Sequence, residues 1–89
     1  MKKKRDRLEV INDILLNVQA KGEIGPTRLL QLSNLSPQMF KGYLTHLLDK
    51  GLIGEKIKKN KKRYMLGEKG YEFLSNYRKF SNFVGKLGI

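Results

Sequence analysis

The most constraining stretch of the chain is Ser36 to Gly51, SPQMFKGYLTHLLDKG, which carries its own start, stop and buried stripe. The periodicity of the sequence also changes directly after it. A serine hydroxyl can accept from the orphan amides of a helix N-terminus, and Pro37 suits the first helical position, where an N–H would go unpaired anyway. Leu35 ahead of the cap and Phe40 one turn in are placed for a hydrophobic staple. Phe40, Leu44 and Leu47, with Tyr43 beside them, recur at helical spacing and predict the buried face. Gln38, Lys41, Gly42 and Thr45 fall on the other side, and Gly51 supplies the stop. A short helix with one apolar face and an uncluttered, hydrogen-bonding outer face suits a DNA major groove. It equally suits an ordinary packed amphipathic helix, so its neighbours must decide.

Upstream, Leu8, Ile11, Leu15 and Val18, flanked by Val10 and Ile14, predict a first helix from about Asp6 to Lys21-Gly22. Ile24 is expected to form a very short strand or simply to pack, before the turn that Gly25-Pro26 forces. Thr27 is placed to cap a second helix carrying Leu29, Leu30 and Leu32 and ending near Ser33-Asn34. So tight a connection to Ser36 predicts a helix-turn-helix unit. Downstream the pattern alternates, with Ile53, Glu55 and Ile57 on one side of an extended segment and Leu52, Gly54 and Lys56 on the other. Arg63 to Leu66 is expected to return as a second strand with Tyr64 and Leu66 on the apolar side. Lys58 to Lys62, KKNKK, then forms the tip, with Asn60 in the turn. Gly67 to Gly70 reads as a loop, and a last helix is expected from about Tyr71. Its Phe73, Tyr77, Phe80, Val84 and Leu87 form a two-heptad seam. That seam can fold back on the first helix or meet a second copy. Because Tyr71 and Leu74 could already serve the domain while the seam runs past them, a homodimer is the stronger expectation. The expected division is a domain over 1–70 with a dimerisation helix over 71–89 packed on it, mainly α with a small β-hairpin.

Charge narrows the partner. Nineteen Lys and Arg against eight Asp and Glu leave +11 on 89 residues, a balance that makes polyanions the expected partners. Lys2, Lys3, Lys4, Arg5 and Arg7 form a basic arm, and Lys56, Lys58, Lys59, Lys61, Lys62 and Arg63 crowd onto the hairpin. Asp6, Glu9, Asp13 and Glu23 lie elsewhere and are not expected to pair with the hairpin cations. A solvated charge run is the alternative, but mutual repulsion on so short a hairpin favours phosphate binding. With 39% hydrophobic residues at regular spacing, the chain should fold as one domain burying roughly two-thirds of its unfolded surface. No cysteine is present, so neither a disulfide nor a thiolate metal site exists. Short apolar runs, and a basic start with no apolar region behind it, imply no membrane span, no secretory signal and a cytoplasmic protein. His46, the sole histidine, has only Asp49 one turn on and lacks further ligands. No nucleophile has a base partner and no Gly-rich loop follows a strand, so neither catalysis nor a cofactor is expected.

Two segments carry a family resemblance: SNLSPQMFKGYLTHLLDKGLI from Ser33 to Ile53, and KKRYMLGEKGYEFL from Lys61 to Leu74. In the order helix, KGLI, basic turn, RYxLxxKG, final helix, they resemble the winged-helix proteins of the MarR/ArsR-like kind. More closely, they are similar to the small dimeric archaeal winged-helix DNA-binding and chromatin proteins. The resemblance covers most of the chain. It implies a winged helix-turn-helix fold, duplex DNA as partner, a nucleoid setting and no cofactor. It also implies that Gln38, Met39, Lys41, Gly42 and Thr45 face the major groove, Gln38 suiting adenine and Met39 a thymine methyl. Thr27 and Arg28 would hold phosphate at the start of the second helix. Lys58, Lys59, Asn60, Lys61, Lys62 and Arg63 would contact DNA as the wing, and Phe73, Tyr77, Phe80, Val84 and Leu87 would form the dimer interface. Gly67 stands where the family pattern often has a capping Thr. Few groups on the groove face can read bases, which implies salt-sensitive binding with modest sequence preference, fitting either a regulator or a chromatin role. Two other readings stand beside this one. The seam suits a protein-interaction module within a larger assembly. RNA binding ranks lower, because the aromatic-studded sheet that stacks unpaired bases is missing.

Overall fold

The computed structural model describes residues 5–88, so Lys2, Lys3 and Lys4 of the basic arm lie outside the described residues. In chain order it forms α1 (Arg7–Lys21), α2 (Pro26–Ser33), α3 (Pro37–Asp49), β1 (Ile53–Lys58), β2 (Lys61–Leu66) and α4 (Glu68–Lys86). Asp6 opens α1 in a capping box: its carboxylate accepts from the Glu9 amide at 2.8 Å while the Glu9 side chain reaches back to the Asp6 amide. α2 departs from expectation. Gly25 is its N-cap and Pro26 its first residue, so Thr27 lies inside the helix and caps nothing. The fixed φ of proline is already helical, which starts the helix two residues earlier than a Thr27 cap would. Asn34 ends α2 in the left-handed region at φ 57°, and Ser36 caps α3 by accepting from the Met39 amide at 3.2 Å.

β1 and β2 pair antiparallel from Ile53↔Leu66 to Lys58↔Lys61, leaving Lys59-Asn60 as a two-residue turn. Both turn residues have positive φ, 51° and 64°, the primed-turn geometry whose twist matches that of the strands. The tip is therefore two residues, shorter than Lys58 to Lys62. Ile24 does form a minimal strand: it exchanges two backbone hydrogen bonds with Tyr64, at 3.0 and 2.8 Å, on the outer edge of β2.

The core collects Val10, Ile11, Ile14, Leu15 and Val18 of α1 around Leu29, Phe40, Leu47, Ile24, Ile53 and Tyr64. Leu8 is not among them; it is 54% exposed. Ile57, on the face of Ile53 but nearer the tip, has passed the edge of the core and is also exposed. The segment Gly67 to Gly70 is not a loop. Gly67 is the N-cap of α4 and Gly70 is buried in its first turn. A Cβ at Gly70 would stand 2.2 Å from the Leu52 carbonyl oxygen, and one at Gly67 2.3 Å from that of Gly51. The two glycines let the helix start against the entry to β1. Leu74 packs on the core, but so does Phe73 of the expected seam, whereas Tyr71 is exposed. α4 thus presents a different face to the domain than the spacing alone suggested.

Candidate nucleic-acid interface

α3 is held by its own ends. Beyond Asp49, Gly51 takes φ 77°; its amide bonds the Leu48 carbonyl at 3.2 Å and the Leu52 amide bonds that of Leu47 at 2.9 Å. These two bonds are a Schellman closure, and they aim the chain straight into β1. With Phe40 and Leu47 buried, Gln38, Met39, Lys41, Gly42 and Thr45 are all exposed together on the outward face. Thr27 and Arg28 are exposed on the first turn of α2, where Arg28 lies 3.4 Å from Gln31 Oε1.

The hairpin concentrates its charge by register. Lys56 stands opposite Arg63, and Lys58 opposite Lys61, on one face. Like charges placed directly across a ladder repel. Contrary to the expectation that the acids lie apart, Glu23 reaches this face: its carboxylate pairs with Lys56 and lies 3.9 Å from Lys58 Nζ. The hydrogen bond from Lys56 holds the Glu23 carboxyl below its ordinary value, assisted by the fields of Lys56, Lys58 and Arg63. On the opposite face Glu55 pairs with Lys62 at 3.8 Å. Burial, then the neighbouring Glu55, raise the Tyr64 phenol beneath. Lys59 and Lys61 are exposed and have no carboxylate partner among the described residues.

The seam on α4 divides. Phe73 stacks on Tyr77 with centroids 5.7 Å apart and serves the domain. Tyr77 is half-buried, its phenol raised by burial and then by Glu9, Asp6 and Asp13 of α1. Farther along, Phe80 (65% exposed), Phe83 (58%) and Leu87 (57%) are open. Phe80 and Val84 line one groove with Leu8 of α1. Leu8 and Phe83 thus join this apolar surface although the heptad spacing passes them over, and Glu23 joins the wing. Only the excess of apolar residues on α1 hinted at Leu8. Among the described residues no group of acids and histidine could hold a metal, and no helix is long and apolar enough to cross a membrane.

Known proteins fit this geometry. Among solved structures, Sso10a-2, a DNA-binding protein from Sulfolobus solfataricus, superposes with a TM-score of 0.76 at 25% identity, over 93% of this chain and 85% of that one. SSV1 F-93 gives 0.71 at 20% identity, over 98% and 95%. A MarR family transcriptional regulator from Silicibacter pomeroyi gives 0.74 at 23% identity, over 85% of this chain and 53% of that one. The chain therefore spans about half the length of that regulator. No curated protein matches in sequence. The family description winged helix-turn-helix matches residues 4–84, taking in all four helices nearly whole and the complete hairpin, and the chain belongs to that family.

Proposed function

We propose that this chain binds double-stranded DNA as a homodimer, with α3 in the major groove and the β1–β2 wing on the phosphate backbone. The observation that carries the reading is the wing register. Lys56 against Arg63 and Lys58 against Lys61 leave four cations on one face with a single carboxylate, Glu23, among them, and a polyanion relieves that repulsion. The exposed face of α3 adds Gln38, Lys41 and Thr45 as hydrogen-bonding groups, with Met39 and Gly42 between them. Similarity to Sso10a-2, itself a DNA-binding protein, supports the same partner. Thr27 and Arg28 add phosphate contacts from α2. Phe80, Val84 and Leu87 join two copies, while Phe73 and Tyr77 brace α4 on its own domain. The wing provides most of the affinity and α3 the position, which suits a nucleoid-associated regulator or architectural protein in the cytoplasm.

Titration of unrelated duplexes over a range of salt tests this. Log K should fall by about 0.9 for each phosphate neutralised against log salt, and a flat response removes the reading. Replacing Lys59, Lys61 and Lys62 by Ala should weaken every duplex alike and lower the slope by up to about 2.7 for each copy, about 5.4 for the dimer. The exposed apolar end of α4 also favours a second reading, a protein-interaction module. A stable monomer that leaves duplex DNA unbound would select it.

A further inference from the structure

Two arginines at the head of α1 have different environments. Arg5 is committed to the fold: Nη1 bonds Asp13 Oδ2 at 3.0 Å and Nη2 donates to the Ser33 carbonyl at 2.9 Å. Arg7 is exposed and has no carboxylate partner among the described residues. It lines an open cleft of about 200 Å³ together with Met39, Gly42, Tyr43 and His46 of α3. Met39 lies three and four residues before Gly42 and Tyr43, and His46 four and three after them, so the four residues form a single stripe along the helix. The stripe borders the outward face, and Met39 and Gly42 belong to both.

The lining of the cleft is mostly apolar, with Arg7 as its one cation and no acid, so the guanidinium fork of Arg7 is the group that can hold an anion there. Tyr43 and His46 are the other lining residues that carry a polar group. The wing cleft differs, since Glu23 already stands among its cations. The space beside Gly42 is open: apart from the backbone of its own helix, no heavy atom lies within 4 Å of where a Cβ would stand. The volume is several times the roughly 30 Å³ share of a water molecule in the liquid, enough for a phosphate group with bound water.

We propose that this cleft is a DNA backbone-phosphate site with Arg7 as its anchoring cation, extending the interface from α3 to the head of α1. The proposal rests on the duplex-binding reading. It is tested on the full chain with Arg7→Ala, using two unrelated duplexes across a salt series, beside the triple wing variant. Arg7→Ala should lower the log–log slope by about 0.9 for each copy, about 1.8 for the dimer, which is about sixtyfold in affinity at 0.1 M salt if the lines meet at 1 M. The loss should be equal on both duplexes, with an unchanged thermal midpoint. Gly42→Ala should raise the midpoint, because alanine favours the helix, yet weaken binding by placing a methyl group between the phosphate and the helix. The double variant should bind no more weakly than Arg7→Ala alone, since both changes act on one contact. Wild-type affinity and slope in Arg7→Ala would overturn the proposal, and a loss confined to one duplex would replace the phosphate by a base contact. If Arg7→Ala is silent while the wing variant weakens binding, only this site falls. If the unaltered chain shows no salt-dependent binding, both readings fall.

Discussion

Gly70 shows how much one missing side chain decides. Its Cα lies so close to the entry to β1 that an alanine methyl would sit 2.2 Å from the Leu52 carbonyl oxygen and 3.1 Å from Leu66 Cδ2. The first of these is backbone, which cannot swing away, so α4 itself would have to shift. Gly70→Ala should therefore destabilise the fold by about 1–3 kcal/mol, the usual range for overpacking. In a domain of this size each 1 kcal/mol lowers the melting midpoint by about 4–8 °C, readable by circular dichroism. An unchanged midpoint would mean that the helix start is not pinned there. Two glycines bracketing Glu68-Lys69 read naturally as a loop in sequence. Their other use, close approach of a helix to a strand distant along the chain, leaves the same letters.

At the scale of elements, the wing is a charged hairpin held together by one acid from outside it. The lowered Glu23 value means that the folded state favours the ionised carboxylate more than the unfolded chain does. The stability so contributed is fully present above the ordinary value of 4.5 and is lost as pH falls through the lowered folded value. Glu23→Gln should accordingly flatten the acid side of the stability–pH curve below about pH 4.5, measured by urea unfolding at several pH values. The same substitution frees Lys56 and Lys58, so duplex binding should tighten and its salt slope steepen. Weaker binding instead would mean that the carboxylate positions those lysines for DNA. The hairpin, its turn at Asn60 and its charge were all legible from alternation and composition. The link to Glu23 was not, because it depends on Ile24 bridging to Tyr64, a contact between segments forty residues apart.

The whole molecule is elongated, with principal extents of 49 × 31 × 21 Å and a radius of gyration of 13.9 Å. A compact chain of this length would have a radius near 12 Å. α4 contributes, since its 19 residues span about 28 Å and its far end leaves Phe80, Phe83 and Leu87 uncovered. A second copy placed there buries these side chains and sets two α3 helices on one assembly. Phe80→Asp should convert a dimer to monomers in sedimentation equilibrium. It should also weaken duplex binding by tenfold or more through lost bivalency, with little change in the fold of each copy. A monomeric unaltered chain would refute the dimer. On DNA, two copies reading one face should protect sites about 34 Å apart or a multiple of that.

What the sequence determined by itself is what acts over a few residues. The Ser36 cap, the Gly51 stop, the Asn60 turn and the 3–4 spacing of Phe40, Leu44 and Leu47 are local chemistry, and they specified α3 and the hairpin behind it. The outward face of α3 follows directly, because a helix that buries one stripe must present the other. Only the tertiary structure decided which residues meet across distance. It put Phe73 on the core and left Tyr71 in solvent, drew Glu23 to Lys56, and set Arg7 across one cleft from Gly42. Periodicity says that an element has a buried side but not what covers it. That depends on how the helices dock, and docking sums many weak contacts that no short stretch of sequence contains.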